Sequence, residues 1–321
     1  MSPRVEIRNF FRKTVRFEFP HGAARHSRYA GELNDRRKFM FRAGNPRRVV
    51  SCRNFVPCSR RAFTLIELLV VIAAIGILAA MLLPTFPRAK GQAANVACIS
   101  NLKQLQVCWQ MYAMDNEDRL PPNNSVTAVP SSGATLATGA SWCIGSPRYD
   151  TNTANIQAGV LYPYNRAAPI YHCPADDSTV EDSSGTRLTQ LRNRSYNMSQ
   201  SVNGFPEYDS VMRDYIPCFR KVTTIANPNP ADCLVFIDEH ADTMYDALFG
   251  MPTDFYDGSQ TWWDLPANRH SQGANLSFAD GHVEHWKWTT PKIFRSWIQP
   301  VQPDEMRDWR RLKAAMKQKM S

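Results

Sequence analysis

The side chains best equipped for chemistry gather near the C-terminal end: His270, Asp280, His282 and His285. Imidazole and carboxylate suit zinc-like cations, so His270, Asp280 and His282 make one metal-site option. Strand side chains alternate between faces, which turns His282 and His285 apart and weakens a joint site. A structural role is the favoured expectation, with His270 and Asp280 tying a hairpin to the loop before it. Asp280-Gly281 between two β-prone runs reads as a two-residue type I′ turn. That turn would set Leu276, Phe278 and Val283 on one face. A second chemical oddity lies far upstream. From Phe63 to Leu83 there are 21 residues, and Glu67 is the only ionisable one. No nucleophile elbow, phosphate loop or metal-spaced His/Glu pair occurs, no catalytic residue is assigned, and an enzyme is not expected.

The elements around these residues follow from periodicity and punctuation. A 21-residue apolar helix reaches about 30 Å, the thickness of a hydrocarbon core. Pro84 should kink or interrupt it. An amphipathic helix then runs over 84–114, with Cys98, Leu102, Leu105, Trp109 and Tyr112 as its apolar stripe. Asn95, Asn101, Lys103, Gln106 and Gln110 form its opposite, polar side. Asp115-Asn116-Glu117-Asp118 closes it before Pro121-Pro122, and this acid cluster reads as a solvated turn, since its spacing matches no oxygen-ligand loop. Residues 123–140 and 175–190 read as loops; Arg194–Ser199 and Ala231–Asp238 read as strands. Trp262, Trp263, Trp286, Trp288, Trp297 and Trp309 read as core or interface packing. Residues 301–321 read as a C-terminal amphipathic helix striped by Met306, Trp309, Leu312 and Met316. Between the helices lies 115–300, a stretch of short strands and loops with its hairpin at 270–288.

The net charge of +9 is unevenly spread. Residues 1–62 hold 16 Lys/Arg against four acids, whereas the rest holds 22 against 25. The basic character therefore belongs to a leader. Basic flanks stay cytoplasmic, which orients the N-terminus inside and the C-terminal domain outside. No nucleic-acid fold follows the Arg-rich leader, so no nucleic-acid partner is expected. Met40 is the expected start of translation, giving a leader from Met40 to Ala62. An ordinary secretory signal has a shorter apolar core, so that reading is set aside.

Arg61-Ala62-Phe63-Thr64-Leu65-Ile66-Glu67-Leu68-Leu69-Val70-Val71-Ile72 resembles the processing site of type IV prepilins and of type II secretion pseudopilins. The resemblance implies that prepilin peptidase cuts between Ala62 and Phe63 and that the new Phe63 terminus is N-methylated. The family usually has Gly where this chain has Ala62. The resemblance also implies that Glu67 pairs with the freed amine of a neighbouring copy, because an acid in a membrane helix needs a positive partner. His270, Asp280 and Gly281 match, residue by residue, the His-x9-Asp-Gly motif of a C-terminal domain that recurs in prepilin-type proteins. The implied fold is α+β and pilin-like: one long N-terminal helix packed on an antiparallel β-sheet. Certain major pseudopilins bind calcium in the globular domain, so calcium is the one cofactor the resemblance leaves open.

The implied function is a structural subunit of an envelope filament, possessing a single inner-membrane span and serving a type II secretion-like system. Its partners would be prepilin peptidase, other copies or pilin-like subunits, and the inner membrane. A pilin-anchored adhesin or ligand-binding module is the alternative, followed by a membrane-anchored metal-binding protein. Outside the cytoplasm, cysteines can pair. Cys98 and Cys108 lie about 15 Å apart along one helix, too far to bridge. Cys143–Cys173 and Cys218–Cys233 are the expected disulfides.

Overall fold

Apolar runs too short for helices but free of polar alternation set the centre of the molecule, and long helices flank them. The structure is a computed structural model. It describes residues 63–82, 86–124, 126–128, 136–137, 140–182, 184–204, 217–251 and 260–317. Met1–Ala62 and Phe63–Ser321 are separate units, and the leader, with Met40 and Ala62, lies outside the described residues. The chain runs α1 (Leu65–Leu82), α2 (Phe86–Asp115), β1 (Val126–Ala128), β2 (Leu136–Ala137), α3 (Ala154–Gln157), α4 (Tyr162–Asn165) and a 3-10 turn (Ala168–Tyr171). It continues through β3 (Thr179–Glu181), β4 (Arg187–Leu191), β5 (Tyr196–Ser199), β6 (Leu234–Asp238), β7 (Leu248–Phe249) and β8 (Thr261–Trp262). The last elements are β9 (Gly273–Phe278), β10 (Val283–Lys287), β11 (Gln299–Pro300) and α5 (Met306–Ala314). The two stretches read as loops each carry a small antiparallel pair, β1 with β2 and β3 with β4.

Five strands form the main sheet in the order β10-β9-β6-β5-β7. Every pair is antiparallel except β5 with β7, so the expected antiparallel sheet is mixed at one edge. β5, β6 and β9 are buried along their whole length, because both faces of the sheet are covered. α2 lies on one face, where Leu102, Leu105 and Trp109 meet Tyr196, Met198 and Phe236. α5 and the Trp residues cover the other, where Trp309 and Leu312 meet Ile237, Leu276 and Trp286. Trp262, Trp286, Trp288 and Trp309 are core, whereas Trp297 is 47% exposed.

The hairpin departs from expectation by one residue. Gly281 N donates to Phe278 O at 2.9 Å and Phe278 N donates to His282 O at 3.0 Å, so the loop is Ala279-Asp280-Gly281. Only Gly281 has positive φ (+101°), which is a three-residue loop with a bulge at its glycine, not a type I′ turn. The extra residue pairs Val283 with Ser277. A one-residue slip exchanges faces. Val283 therefore joins Asn275 and Ser277 on the α2 side, while Leu276 and Phe278 face α5.

That polar sheet face explains a second departure. Gln106, expected on the polar side of α2, is buried and accepts a bond from Ser277 Oγ at 2.9 Å. Asn95 likewise accepts from Asn275 Nδ2 at 2.8 Å. α1 is different: its described side chains are all exposed, and every one but Glu67 is apolar or Gly76. No single described helix is long and apolar enough to cross a membrane. α1 and α2 together pass that test, as a pair bent by 43°. The expected span from Phe63 begins as helix only at Leu65, after Thr64.

The α5 layer is locked by one buried ion pair, Lys292 Nζ to Asp308 Oδ2 at 2.6 Å, with Thr289 N also donating to Asp308. Removing one partner of such a pair costs about 3–5 kcal/mol, because the other charge is stranded. Asp308→Ala should lose stability by about that much in urea unfolding of the full chain in detergent. An unchanged midpoint would mean that the pair does not hold α5.

Candidate functional site

Two places hold the residues singled out by the sequence. The first is the start of α1. Thr64 N and Thr64 Oγ1 donate to Glu67 Oε2 at 2.9 and 2.7 Å, and Glu67 N donates to Thr64 Oγ1 at 3.3 Å. This reciprocal pattern is a capping box, in which each side chain satisfies the other residue's exposed backbone N–H. Its signature, Thr64-x-x-Glu67 before an apolar run, stands in the sequence. Both side-chain bonds fall on Oε2. Phe63, 74% exposed, stands one residue ahead of the cap.

The second place lies between α2 and the sheet. Cys98 of α2, Cys173 after the 3-10 turn, Asp238 at the end of β6 and His270 before β9 converge there. One ligand atom from each lies within 4.8 Å of all the others. Cys173 Sγ is 3.2 Å from His270 Nε2, and His270 Nε2 is 3.7 Å from Asp238 Oδ2. Tyr196 Oη donates to Cys98 Sγ at 3.1 Å. Cys98, Cys173 and Asp238 are fully buried, and the His270 side chain is 1% exposed. Asp238 Oδ1 takes Arg269, which also pairs with Asp176 at 2.7 Å. Asp238 Oδ2 and His270 Nδ1 are buried without a hydrogen-bond partner among the described residues.

The protons in this cluster are contested. Burial opposes a thiolate at Cys98, but bonds from Cys173, His270, Tyr196 and Asn275 outweigh it and hold Cys98 well below the usual thiol range. The bond to Cys98 and burial push Cys173 far up. Burial pushes the Asp238 carboxyl well up against the pull of Arg269. Burial works against the Arg269 charge too, yet Asp238 and Asp176 keep that guanidinium firmly protonated.

His270 reaches this place through an unusual backbone. His270, Ser271 and Gln272 all have positive φ (53°, 63° and 67°), and Gly273 N donates to Arg269 O at 2.7 Å. One left-handed turn of non-glycine residues costs about 1–2 kcal/mol per residue. Gly273 closes it because a Cβ there would sit 2.4 Å from Trp286 O. The turn sends Arg269 and His270 inward together.

The structure therefore separates the residues that the sequence grouped. Asp280 accepts from His282 N at 3.0 Å and from the His282 ring, in an exposed turn at the far end of β9 from His270. Asp280 and Gly281 shape the hairpin, whereas His270 does not tie that turn. The members of the metal option do not converge, because β9 runs between His270 and the pair Asp280 and His282. Among the described residues the expected disulfides do not form, since Cys143, Cys173 and Cys233 carry free thiols, as do Cys98 and Cys108. Cys173 faces Cys98 and His270, Cys143 bonds Ile144 O at 3.7 Å, and Cys218 bonds Gly204 O at 3.6 Å. Burial pushes the Cys233 thiol up to about 12. In the acid cluster after α2, Asp118 takes Thr223 N at 3.2 Å and Glu117 lies 3.9 Å from Arg119. Cys98 and Asp238 were missed as site residues: one reads as part of a helical stripe, the other as the end of a strand, and only the tertiary fold joins them.

Glu239, next in the chain, points to other partners: Asn197 Nδ2 at 2.7 Å and Thr243 Oγ1 at 3.0 Å. Burial, with Asp264 and Asp246 nearby, raises its carboxyl well above the ordinary 4.5. A raised folded value means stability complete below the unfolded value and lost as pH rises through the folded one. Glu239→Gln should therefore narrow the gap in melting temperature between pH 5 and pH 8, measured on the full chain. An unaltered gap would show that Glu239 folds already ionised.

Residues 58–83 match the family model of the prokaryotic N-terminal methylation motif. No curated protein and no solved structure matches the chain. With α1 apolar on all sides and its lone acid at the start, this motif supports a type IV pilin-like precursor, processed by prepilin peptidase and anchored in the cell envelope.

Proposed function

We propose that the mature chain is a pilin-like or pseudopilin-like structural subunit, cut between Ala62 and Phe63 and assembled into an envelope filament through α1. The observation that carries this reading is α1 itself. Its apolar side chains are exposed on every side, and a helix hydrophobic all round must be covered by lipid or by other helices. Before cutting, the basic leader keeps the N-terminus cytoplasmic and α1 lies in the inner membrane, with the α+β domain outside. After cutting, α1 packs against copies of itself, and the Glu67 carboxylate of one copy meets the Phe63 amine of the next. The capping box prepares this: Thr64 holds Oε2, which fixes the direction of the carboxylate. α2 then carries the soluble domain on its apolar stripe, as a pilin-like fold requires. A type II secretion-like machine is the setting in which such a filament serves.

The charge at Glu67 can be tested apart from its capping role. Gln supports a capping box as Glu does, but carries no charge. Glu67→Gln and Glu67→Ala should both be processed, and both should lower assembly about tenfold or more, as expected for truncating a desolvated charge pair. The readout is subunit multimers captured by cross-linking in intact cells. Wild-type multimers with Glu67→Gln would contradict the pairing.

A further inference from the structure

The four buried side chains of Cys98, Cys173, Asp238 and His270 belong to no part of the filament reading. We propose that they form a structural metal site that takes one zinc-class divalent cation per chain and clamps α2 to the sheet.

The geometry fits such an ion. A tetrahedral zinc centre with Zn–S of about 2.3 Å and Zn–N of about 2.0 Å has ligand atoms roughly 3.3–3.8 Å apart. The Cys173–His270 separation of 3.2 Å is just short of that range, the His270–Asp238 separation of 3.7 Å lies inside it, and all four atoms fall within 4.8 Å. Two thiols with one imidazole select a borderline-soft cation over calcium or magnesium, which take oxygen ligands. Four protein ligands in a fully buried place leave no open position, which marks a structural centre and not a catalytic one.

The chemistry of the apo cluster points the same way. Asp238 Oδ2 is buried and aimed at the ring nitrogen of His270 without a hydrogen bond. Leaving such an oxygen unsatisfied is costly, and a cation satisfies it. Two sulfur atoms, one imidazole nitrogen and one carboxylate oxygen would face the dication, with Arg269 behind the carboxylate. Three consecutive left-handed residues hold His270 in position, and a backbone so strained persists where surrounding bonds over-determine it. The ligands come from α2, the loop after the 3-10 turn, β6 and the turn before β9. One ion would therefore join parts of the chain up to 172 residues apart, Cys98 to His270.

The test is metal analysis of the full chain purified in detergent without chelator. One zinc per chain is expected. Replacement by Co2+ should produce intense thiolate-to-cobalt absorption, which Cys173→Ser cuts to about half. A strong chelator should lower the melting temperature, and added zinc should restore it. His282→Ala is the control, since His282 with Asp280 and Glu284 makes an exposed spot that could collect stray metal; it should keep the full complement. Cys98→Ser with His270→Ala should lose it. Less than one-tenth of an ion per wild-type chain after refolding with zinc would overturn the site. So would a Cys98–Cys173 disulfide found by mass, or zinc that follows His282.

Discussion

An exposed apolar helix with one carboxylate is the constraint on which everything else depends. Leu65, Ile66, Leu68, Leu69, Val70, Val71, Ile72, Ile75, Ile77, Leu78 and Met81 are each 46–79% exposed. Covering side chains of this kind yields about 1.5–3 kcal/mol apiece, so α1 left in water forgoes on the order of 20 kcal/mol. That exceeds the whole folding stability of an ordinary domain, about 5–15 kcal/mol. Lipid before processing and neighbouring helices after it are the two covers that an apolar surface without a preferred face accepts. Glu67 fits both, because its capping bonds satisfy the end of the helix while leaving a charge to be matched.

The α+β domain holds α2, the helix that follows α1 in the chain. α2 meets the sheet through apolar contacts and through two polar ones, Gln106 with Ser277 and Asn95 with Asn275. Polar pairs buried at such an interface fix register as well as adding stability, since a shift would strand their donors. The Cys98–Cys173–Asp238–His270 cluster sits at the same interface, beside Tyr196.

Much of this was legible in the sequence. The apolar run, its lone acid and the stripe on α2 follow from composition and a period of 3.6, and the strands at Tyr196–Ser199 and Leu234–Asp238 from short β-prone runs. What escaped depends on single residues or on distance. One bulge residue at Gly281 moved Val283 to the other face. Gln106 looked solvent-facing because nothing in α2 announces that the sheet presents Ser277. Three left-handed residues before Gly273 have no local signal, since Ser and Gln do not favour that conformation. Cys98 and His270 are joined only by tertiary packing, and no periodicity reports a contact at that separation.

Assembly through α1 requires that the apolar helix be freed at its N-terminus. Mass spectrometry of the first peptide of the protein taken from cell envelopes reads this directly. The expected result is a chain that begins at Phe63 with a methylated amine. A mature protein that still carries Arg60-Arg61-Ala62 ahead of Phe63 would contradict it.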